Sequence, residues 1–199
     1  TNATAATMAA VTLPEMKKAM YLFGALSLIS GLSLLYLAVQ DLQIFLLFLG
    51  LGLAAIWASI TYTSGKNPYG YAGLGDLSVF IFFGLLGVLG TYFLHTYSSN
   101  NLAVLIAVAL GFFSTAVLNI NNIRDIDSDK RAGKKSIPVR IGRSNAVKYN
   151  WSLIILGNLA LLLFVIYSNE WFSLIALLAS ILMIKVARGV QVAQSAQET

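Results

Sequence analysis

The sequence predicts an all-α membrane protein, a polytopic bundle of six transmembrane helices. Three observations lead to this prediction. Hydrophobic residues make up 58% of the 199 residues and charged residues only 11%, whereas a soluble domain usually carries about 25% charged residues. Six uninterrupted apolar stretches are each close to the roughly 20 residues that a helix needs to cross a bilayer core. All 13 Lys and Arg residues lie on one side of these stretches: before the first, in or at the edge of the second and fourth connections, and at the inner end of the sixth.

The six predicted spans are residues 20–39, 42–62, 77–97, 102–123, 147–167 and 171–186. Their apolar residues follow one another without a break, as in residues 44–49, whereas the strands of a membrane β-barrel alternate apolar and polar residues. Because a helix satisfies its backbone hydrogen bonds internally, it is the expected form of such a stretch in lipid. The sixth span is the shortest.

The positive charges indicate which side of the membrane each connection faces. Most of them lie in or beside the connection between the fourth and fifth spans. Because Lys and Arg favour short cytoplasmic loops, we expect a cytoplasmic basic face, with both ends of the chain on that side of the inner (cytoplasmic) membrane. The chain has no cysteine, which excludes a disulfide framework or a cysteine metal site. Residues 1–10 lack the basic and apolar segments of a secretory signal.

Two connections on the basic side are long, residues 63–76 and 124–146, and the opposite ones are tight. Loops of more than about 12–15 residues are usually functional or disordered. We therefore expect function on the cytoplasmic face.

The longer loop carries an acidic pattern. Asn121, Asp125 and Asp129 recur every four residues, so they share one face if the fourth helix continues past the membrane edge. Two carboxylates one turn apart repel each other, and a cation must offset that cost. Mg²⁺ fits, because it is typically held by one or two carboxylates together with substrate phosphates and water.

Basic side chains surround this pattern, and they suit a polyanion that arrives with its own metal ion. Gly133 is expected to break the helix and to let the backbone approach closely, and Pro138 to prevent a continuous helix through the loop. The residues alone support equally well a solvated charge run that touches anionic lipid. Asn119, Asn121 and Asn122 favour function, because polar groups at the end of an apolar helix need partners.

The shorter loop contains four glycines and the polar residues Lys66 and Asp76, with Tyr62 just before it. We expect it either to complete a pocket over the aspartate loop or to be an ordinary turn with interfacial anchors.

Residues 121–142, with the pattern Asn-Asn-x-Arg-Asp-x-x-x-Asp followed by Gly-Lys-x-Ser and Val-Arg-x-Gly, resemble the second aspartate-rich motif of the UbiA superfamily of membrane prenyltransferases. Residues 69–76, with the segments 80–84 and 90–92, resemble the branch that acts on 1,4-dihydroxy-2-naphthoate in menaquinone biosynthesis. The resemblance implies a nine-helix bundle around a central cavity, of which this chain supplies helices three to eight. It also implies Mg²⁺-dependent transfer of a polyprenyl group from an allylic diphosphate to an aromatic acid.

The resemblance further implies roles for particular side chains. Asp125 and Asp129 would be the magnesium ligands, and Asp76 would lie near the aromatic acceptor. With Lys66 they form the expected catalytic set. The side chains expected to bind the diphosphate or support the metal are Tyr62, Lys66, Asn121, Asn122, Arg124, Lys134 and Arg140.

The chain departs from that family in one respect that matters for activity. The first aspartate-rich motif, Asn-Asp-x-x-Asp, has no counterpart, since no Asn-Asp pair occurs. We therefore expect a single transmembrane domain, residues 1–199, that is incomplete at both ends and inactive alone. The alternatives are a related enzyme acting on 4-hydroxybenzoate or a chlorophyllide, or a transporter or lipid-binding protein. A transporter predicts repeats and ionisable groups at mid-depth, which these spans lack. The expected partners are a polyprenyl diphosphate, an aromatic acid and the bilayer, with no nucleic acid.

Overall fold

The computed structural model describes residues 12–193, and all regular structure in that range is helical. The helices are α1 (Leu13–Ala38), α2 (Leu42–Thr63), α3 (Gly75–Thr96), α4 (Asn101–Arg124), the short α5 (Ile126–Arg131), α6 (Ile137–Ser168) and α7 (Ala176–Val192), the last preceded by the 3₁₀ turn Trp171–Ile175. Six of these helical segments are long and apolar enough to cross a membrane, which confirms the predicted span count and an integral membrane protein. The expectation for residues 1–10 lies outside the described residues.

The chain divides into two compact units at Ala54 and Ala55, within α2. The first unit holds α1 and the first part of α2. Helix α1 begins earlier than its predicted span because Thr12 and Glu15 form a capping box, in which the Thr12 N–H donates to Glu15 Oε2 at 2.8 Å. Helix α2 begins after Asp41, whose Oδ1 accepts the Ile44 N–H at 2.9 Å.

In the second unit α4 is the central helix, and it packs against both α3 and α6. Helix α7 packs against α6. Small residues and branched aliphatic residues form the two buried clusters where α4, α6 and α7 meet; their fully buried members are Ala116, Ile123, Ala146, Leu153, Ile154, Ala187 and Val190. Small side chains permit such close packing of membrane helices.

Helices α3 and α4 approach most closely at two glycines. A Cβ on Gly84 would lie 2.5 Å from the Gly111 Cα, and a Cβ on Gly111 would lie 2.8 Å from the Phe80 ring. The same part of α3, Phe80–Leu86, is π-helical, a local widening that is frequent at functional sites. Glycine is therefore required for the contact that sets the position of Phe80.

The connection between α4 and α6 is mostly helical rather than an open loop. The fifth predicted span begins at residue 147, but α6 begins at Ile137, with Pro138 in its first turn, where the missing N–H breaks no hydrogen bond. Residues 132–136 separate α5 from α6, so no continuous helix runs through the connection, as predicted. Gly142 (φ 77°) then kinks α6.

One part of the predicted role of Gly133 is confirmed. Its φ of 72° follows the end of α5, as expected of a residue that ends a helix, but no atom lies within 4 Å of a Cβ built on it. Gly133 has the backbone conformation expected of glycine, and its close approach to a bound phosphate stays a prediction.

A buried amide pair joins α4 to α6. The fully buried Asn119 donates from Nδ2 to the Ala146 carbonyl and to Asn150 Oδ1, both at 3.1 Å. In the described part of the chain, Asn119 Oδ1 and Asn150 Nδ2 have no further partner. The pair fixes the two helices that carry most of the site described next.

Candidate functional site

The two long connections meet at one end of the second unit. The Lys135 backbone N–H donates to the Tyr71 carbonyl at 2.8 Å, and the Arg140 guanidinium donates to the Ala72 carbonyl. Gly73 (φ 85°) lies at this junction, and a Cβ on it would be 2.3 Å from the Lys135 carbonyl oxygen. Only glycine fits at the point where these loops touch.

The shorter loop folds back onto the end of α2. The Gly70 N–H donates to the Tyr62 carbonyl at 3.1 Å, and the Tyr62 and Tyr69 rings meet edge to face with centroids 5.3 Å apart. The Tyr62 hydroxyl would lie 2.9 Å from a Cβ on Gly75, at the start of α3. Tyr62 is therefore held at the junction. Lys66 is exposed, and within the described residues no hydrogen bond or ion pair joins it to the aspartate loop.

The aspartate loop keeps its four-residue spacing although the helix does not continue. Helix α4 ends at Arg124, Asp125 adopts φ −96° and ψ 11°, and α5 begins at Ile126. The Asp125 N–H still donates to the Asn121 carbonyl at 3.0 Å, and the Asp129 N–H to the Asp125 carbonyl at 2.8 Å. The shared face was predicted on condition that the fourth helix continues; the helix is interrupted at Asp125, but the two aspartates remain one turn apart.

Asp125 pairs with its neighbour Arg124. Arg124 Nε lies 3.0 Å from Asp125 Oδ1 and Arg124 Nη2 lies 3.1 Å from Asp125 Oδ2, and both side chains are nearly half exposed. These hydrogen bonds hold the pKa of the Asp125 carboxyl below its ordinary value. Asp125 is therefore a charged, solvent-accessible carboxylate. Asp127, between the two aspartates, is exposed.

Asp129 lies deeper and is held by different partners. Its Oδ2 accepts from Lys134 Nζ at 3.0 Å and from Ser136 Oγ at 3.2 Å, and only 14% of its side chain is exposed. Lys134 Nζ also donates to Asn122 Oδ1 at 3.3 Å. Asn122 is buried and Asn121 is exposed, so Asn122 is the amide whose side chain belongs to this cluster. Ser136 is the serine of the Gly-Lys-x-Ser pattern, but the sequence alone predicted no role for it.

The donor set suits a metal ion that is shared with a phosphate group. Mg²⁺ takes oxygen ligands and usually keeps several positions for substrate phosphates and water. Asp125 and Asp129 supply carboxylate oxygens. Across residues 12–193, no group of three or more His, Cys, Asp or Glu side chains could hold a metal ion. An ion held by Asp125 and Asp129 would need further ligands, which phosphate oxygens or water can supply.

A cavity of about 360 Å³ lies beside this junction, between α3, α4 and α6. Gly73 of the shorter connection and Ile137 at the start of α6 line it, and Leu77, Phe80, Phe112 and Leu153 form much of its apolar wall. Its polar lining is Asp76, Thr115 and Tyr149.

Asp76 is the buried carboxylate of the cavity. It is 8% exposed, and its Oδ2 accepts a hydrogen bond from the Tyr149 hydroxyl at 3.0 Å. The sequence analysis singled out Asp76 but neither Tyr149 nor Thr115. A lone polar residue in an apolar helix gives no sequence signal for a partner on another helix.

The sequence of this chain is similar to those of known prenyltransferases. The sequence model described as the UbiA prenyltransferase family matches residues 14–198. The chain is 42% identical over 190 residues to the 1,4-dihydroxy-2-naphthoate octaprenyltransferase of Haemophilus influenzae, covering 95% of this chain and 62% of that protein. It is 44% identical over 179 residues to the enzyme of the same name from Escherichia coli, covering 89% of this chain and 58% of that protein.

A more distant relative is the mouse UbiA prenyltransferase domain-containing protein 1, which is 35% identical over 98 residues, 49% of this chain and 29% of that protein. No solved structure matches the chain. The chain spans about three fifths of the length of the bacterial relatives described above.

Proposed function

The chain belongs to the UbiA prenyltransferase family, and from this membership we propose that it is an integral membrane enzyme that transfers a polyprenyl group from an allylic diphosphate to 1,4-dihydroxy-2-naphthoate in menaquinone biosynthesis. The names of its bacterial relatives support the donor and the acceptor. The observation that carries the proposal is the cluster of Asp129, Lys134 and Asn122 where the two loops meet. The cavity that contains Asp76 lies beside this cluster and is also lined by Gly73 and Ile137.

The diphosphate binds at the loop junction. Lys134 and Arg140 donate to phosphate oxygens, as does Arg124, whose planar guanidinium matches a phosphate in two-point geometry. Asp125 and Asp129 would hold Mg²⁺, which supplies positive charge to the leaving diphosphate when bound. The remaining polar groups proposed to contact the diphosphate or the metal shell are Tyr62, Lys66, Asn121 and Asn122.

The reaction breaks the allylic C–O bond, and the diphosphate leaves with the electron pair. A ring carbon of the acceptor then forms the new C–C bond with the allylic cation. The acceptor loses its carboxyl group as CO₂, and the electrons of the broken bond between the ring and the carboxyl carbon remain on the ring. Each donor aimed at the developing charge contributes roughly 3–4 kcal/mol to lowering the barrier if it acts as an oxyanion-hole donor does. The apolar wall formed by Phe80, Phe112 and Leu153 keeps water from the allylic cation.

The acceptor lies in the cavity beside Asp76, and the polyprenyl tail extends into the lipid-exposed part of the bundle. The protein lies in the inner membrane of the cell. Its basic connections face the cytoplasm, because Lys and Arg favour that side. The six spans correspond to helices three to eight of a nine-helix family bundle.

The test is a prenyl-transfer assay on membranes that contain the natural protein. The membranes receive a polyprenyl diphosphate and either 1,4-dihydroxy-2-naphthoate or 4-hydroxybenzoate, with Mg²⁺ or with EDTA. We expect a prenylated naphthoquinol product and release of CO₂ only with the naphthoate and Mg²⁺. Product with 4-hydroxybenzoate alone would reassign the acceptor, and no Mg²⁺-dependent product with either acid would reject the function.

A further inference from the structure

One hydrogen bond crosses the cavity wall between residues far apart in the chain. The Tyr149 hydroxyl, on α6, donates to Asp76 Oδ2, near the start of α3, at 3.0 Å. Asp76 is 8% exposed and Tyr149 is partly buried. A carboxylate that is buried without a hydrogen-bond donor costs free energy. The hydrogen bond from Tyr149 therefore stabilises the buried Asp76 carboxylate.

The donor to the Asp76 carboxylate is a neutral hydroxyl group. Neither the ion pair of Arg124 with Asp125 nor that of Lys134 with Asp129 includes Asp76. The Thr115 hydroxyl donates to the backbone carbonyl of Asp76 at 3.4 Å and not to its carboxylate. The Tyr149 hydroxyl donates to the Asp76 carboxylate at Oδ2, and each carboxylate oxygen has two lone pairs, so Oδ1 can accept from a bound ligand.

The surroundings of this pair suit a flat aromatic ligand with a hydroxyl group. Asp76 and Tyr149 both line the cavity of about 360 Å³, a size within the range of small-molecule sites. The Phe80 and Phe112 rings on its wall meet edge to face, with centroids 5.0 Å apart. Apolar walls with a few convergent polar groups are typical of sites that orient a ligand by hydrogen bonds.

We propose that Tyr149 is a positioning residue that fixes the Asp76 carboxylate, so that Oδ1 accepts the hydroxyl hydrogen of the aromatic acceptor and orients the acceptor ring. This inference rests on the proposed function and adds a residue to its acceptor site. Tyr149 itself does not touch the reacting atoms. Its hydroxyl prevents rotation of the carboxylate, and the orientation of the acceptor depends on that rotation.

The expected effect is confined to the acceptor. Tyr149→Phe keeps the ring and removes the hydroxyl. It should lower kcat/KM for the acceptor by roughly 10- to 100-fold, the factor expected for losing a hydrogen bond to a charged group, and leave KM for the polyprenyl diphosphate unchanged. In an Asp76→Asn background the same substitution should have almost no further effect, because Tyr149 acts through the carboxylate. The control is Tyr167→Phe, an exposed tyrosine near the end of α6, which should behave as wild type.

Steady-state kinetics of the natural protein in membranes distinguish the outcomes. Wild-type transfer is measured first, and its absence rejects the proposed function together with this inference. If wild type is active, two results would overturn the Tyr149 inference alone: an unchanged acceptor kcat/KM in Tyr149→Phe, or an equal loss in the Asp76→Asn background. Should Tyr149→Phe not accumulate, a fluorotyrosine at position 149 keeps the shape and changes the donor strength of the hydroxyl. The acceptor kcat/KM must then change, and an unchanged value contradicts the inference.

Discussion

The backbone N–H of Lys135 lies 2.8 Å from the carbonyl oxygen of Tyr71 and donates a hydrogen bond to it. This contact brings the loop before α3 against the segment that follows α5. Asp76 follows the first loop, and Asp129 precedes Lys135 in the second segment. This junction therefore places the apolar cavity and the charged cluster side by side in one site.

The junction predicts a severe effect of Gly73→Ala. The new Cβ would lie 2.3 Å from the Lys135 carbonyl oxygen, and the φ of 85° is strained for alanine. We expect the loops to separate and the turnover in membranes to fall at least tenfold. Gly133→Ala is the matched control, because Gly133 has a similar φ of 72° but open space around its Cβ. Equal losses in the two variants would show that backbone strain and not loop contact explains the effect.

Lys134 is predicted to matter for the diphosphate more than any exposed lysine of the same loop. It donates to both Asp129 and Asn122, and its side chain is 21% exposed. Lys134→Met should raise KM for the polyprenyl diphosphate about tenfold or more, as expected for the loss of a charge-assisted contact. Lys130→Met, at an exposed position in α5, serves as control. Similar KM values for the two variants would place the diphosphate elsewhere.

The buried amide pair predicts a loss of stability with little change in the loops. Asn119→Ala removes the donor to the Ala146 carbonyl and leaves Asn150 without its partner. Leaving buried polar groups unpaired should cost roughly 1–3 kcal/mol. Thermal unfolding in lipid nanodiscs measures this as a lower midpoint for Asn119→Ala than for Asn121→Ala, which changes an exposed residue of the same helix. Equal midpoints would mean that the amide pair contributes no net stability.

The membrane spans were predictable because lipid imposes a simple requirement on composition. A helix must present about 20 apolar residues, so hydropathy located all six spans. Helix ends were less predictable. Helix α6 begins at Ile137, well before the apolar stretch. Pro138 and the polar residues after it are helical although they lie outside the predicted membrane span.

The site was predictable only where residues lie close together in the sequence. The four-residue spacing of Asp125 and Asp129 was visible, and the structure keeps it. The shared cation for both carboxylates stays a prediction; the separate pairing of each carboxylate with a basic side chain, Arg124 or Lys134, was not visible in the sequence. Contacts such as Tyr149 with Asp76 depend on how α3 and α6 pack, and local spacing does not encode that packing.

The central proposition is that the aspartate pair binds a diphosphate group together with a divalent cation. Direct titration of inorganic pyrophosphate into the natural protein in nanodiscs, with and without Mg²⁺, tests it without requiring turnover. We predict Mg²⁺-dependent binding that Asp125→Ala and Asp129→Ala each abolish and that Asp127→Ala, which removes an exposed carboxylate from the same loop, retains. Binding of equal strength in all three variants, or binding that ignores Mg²⁺, would contradict the proposition.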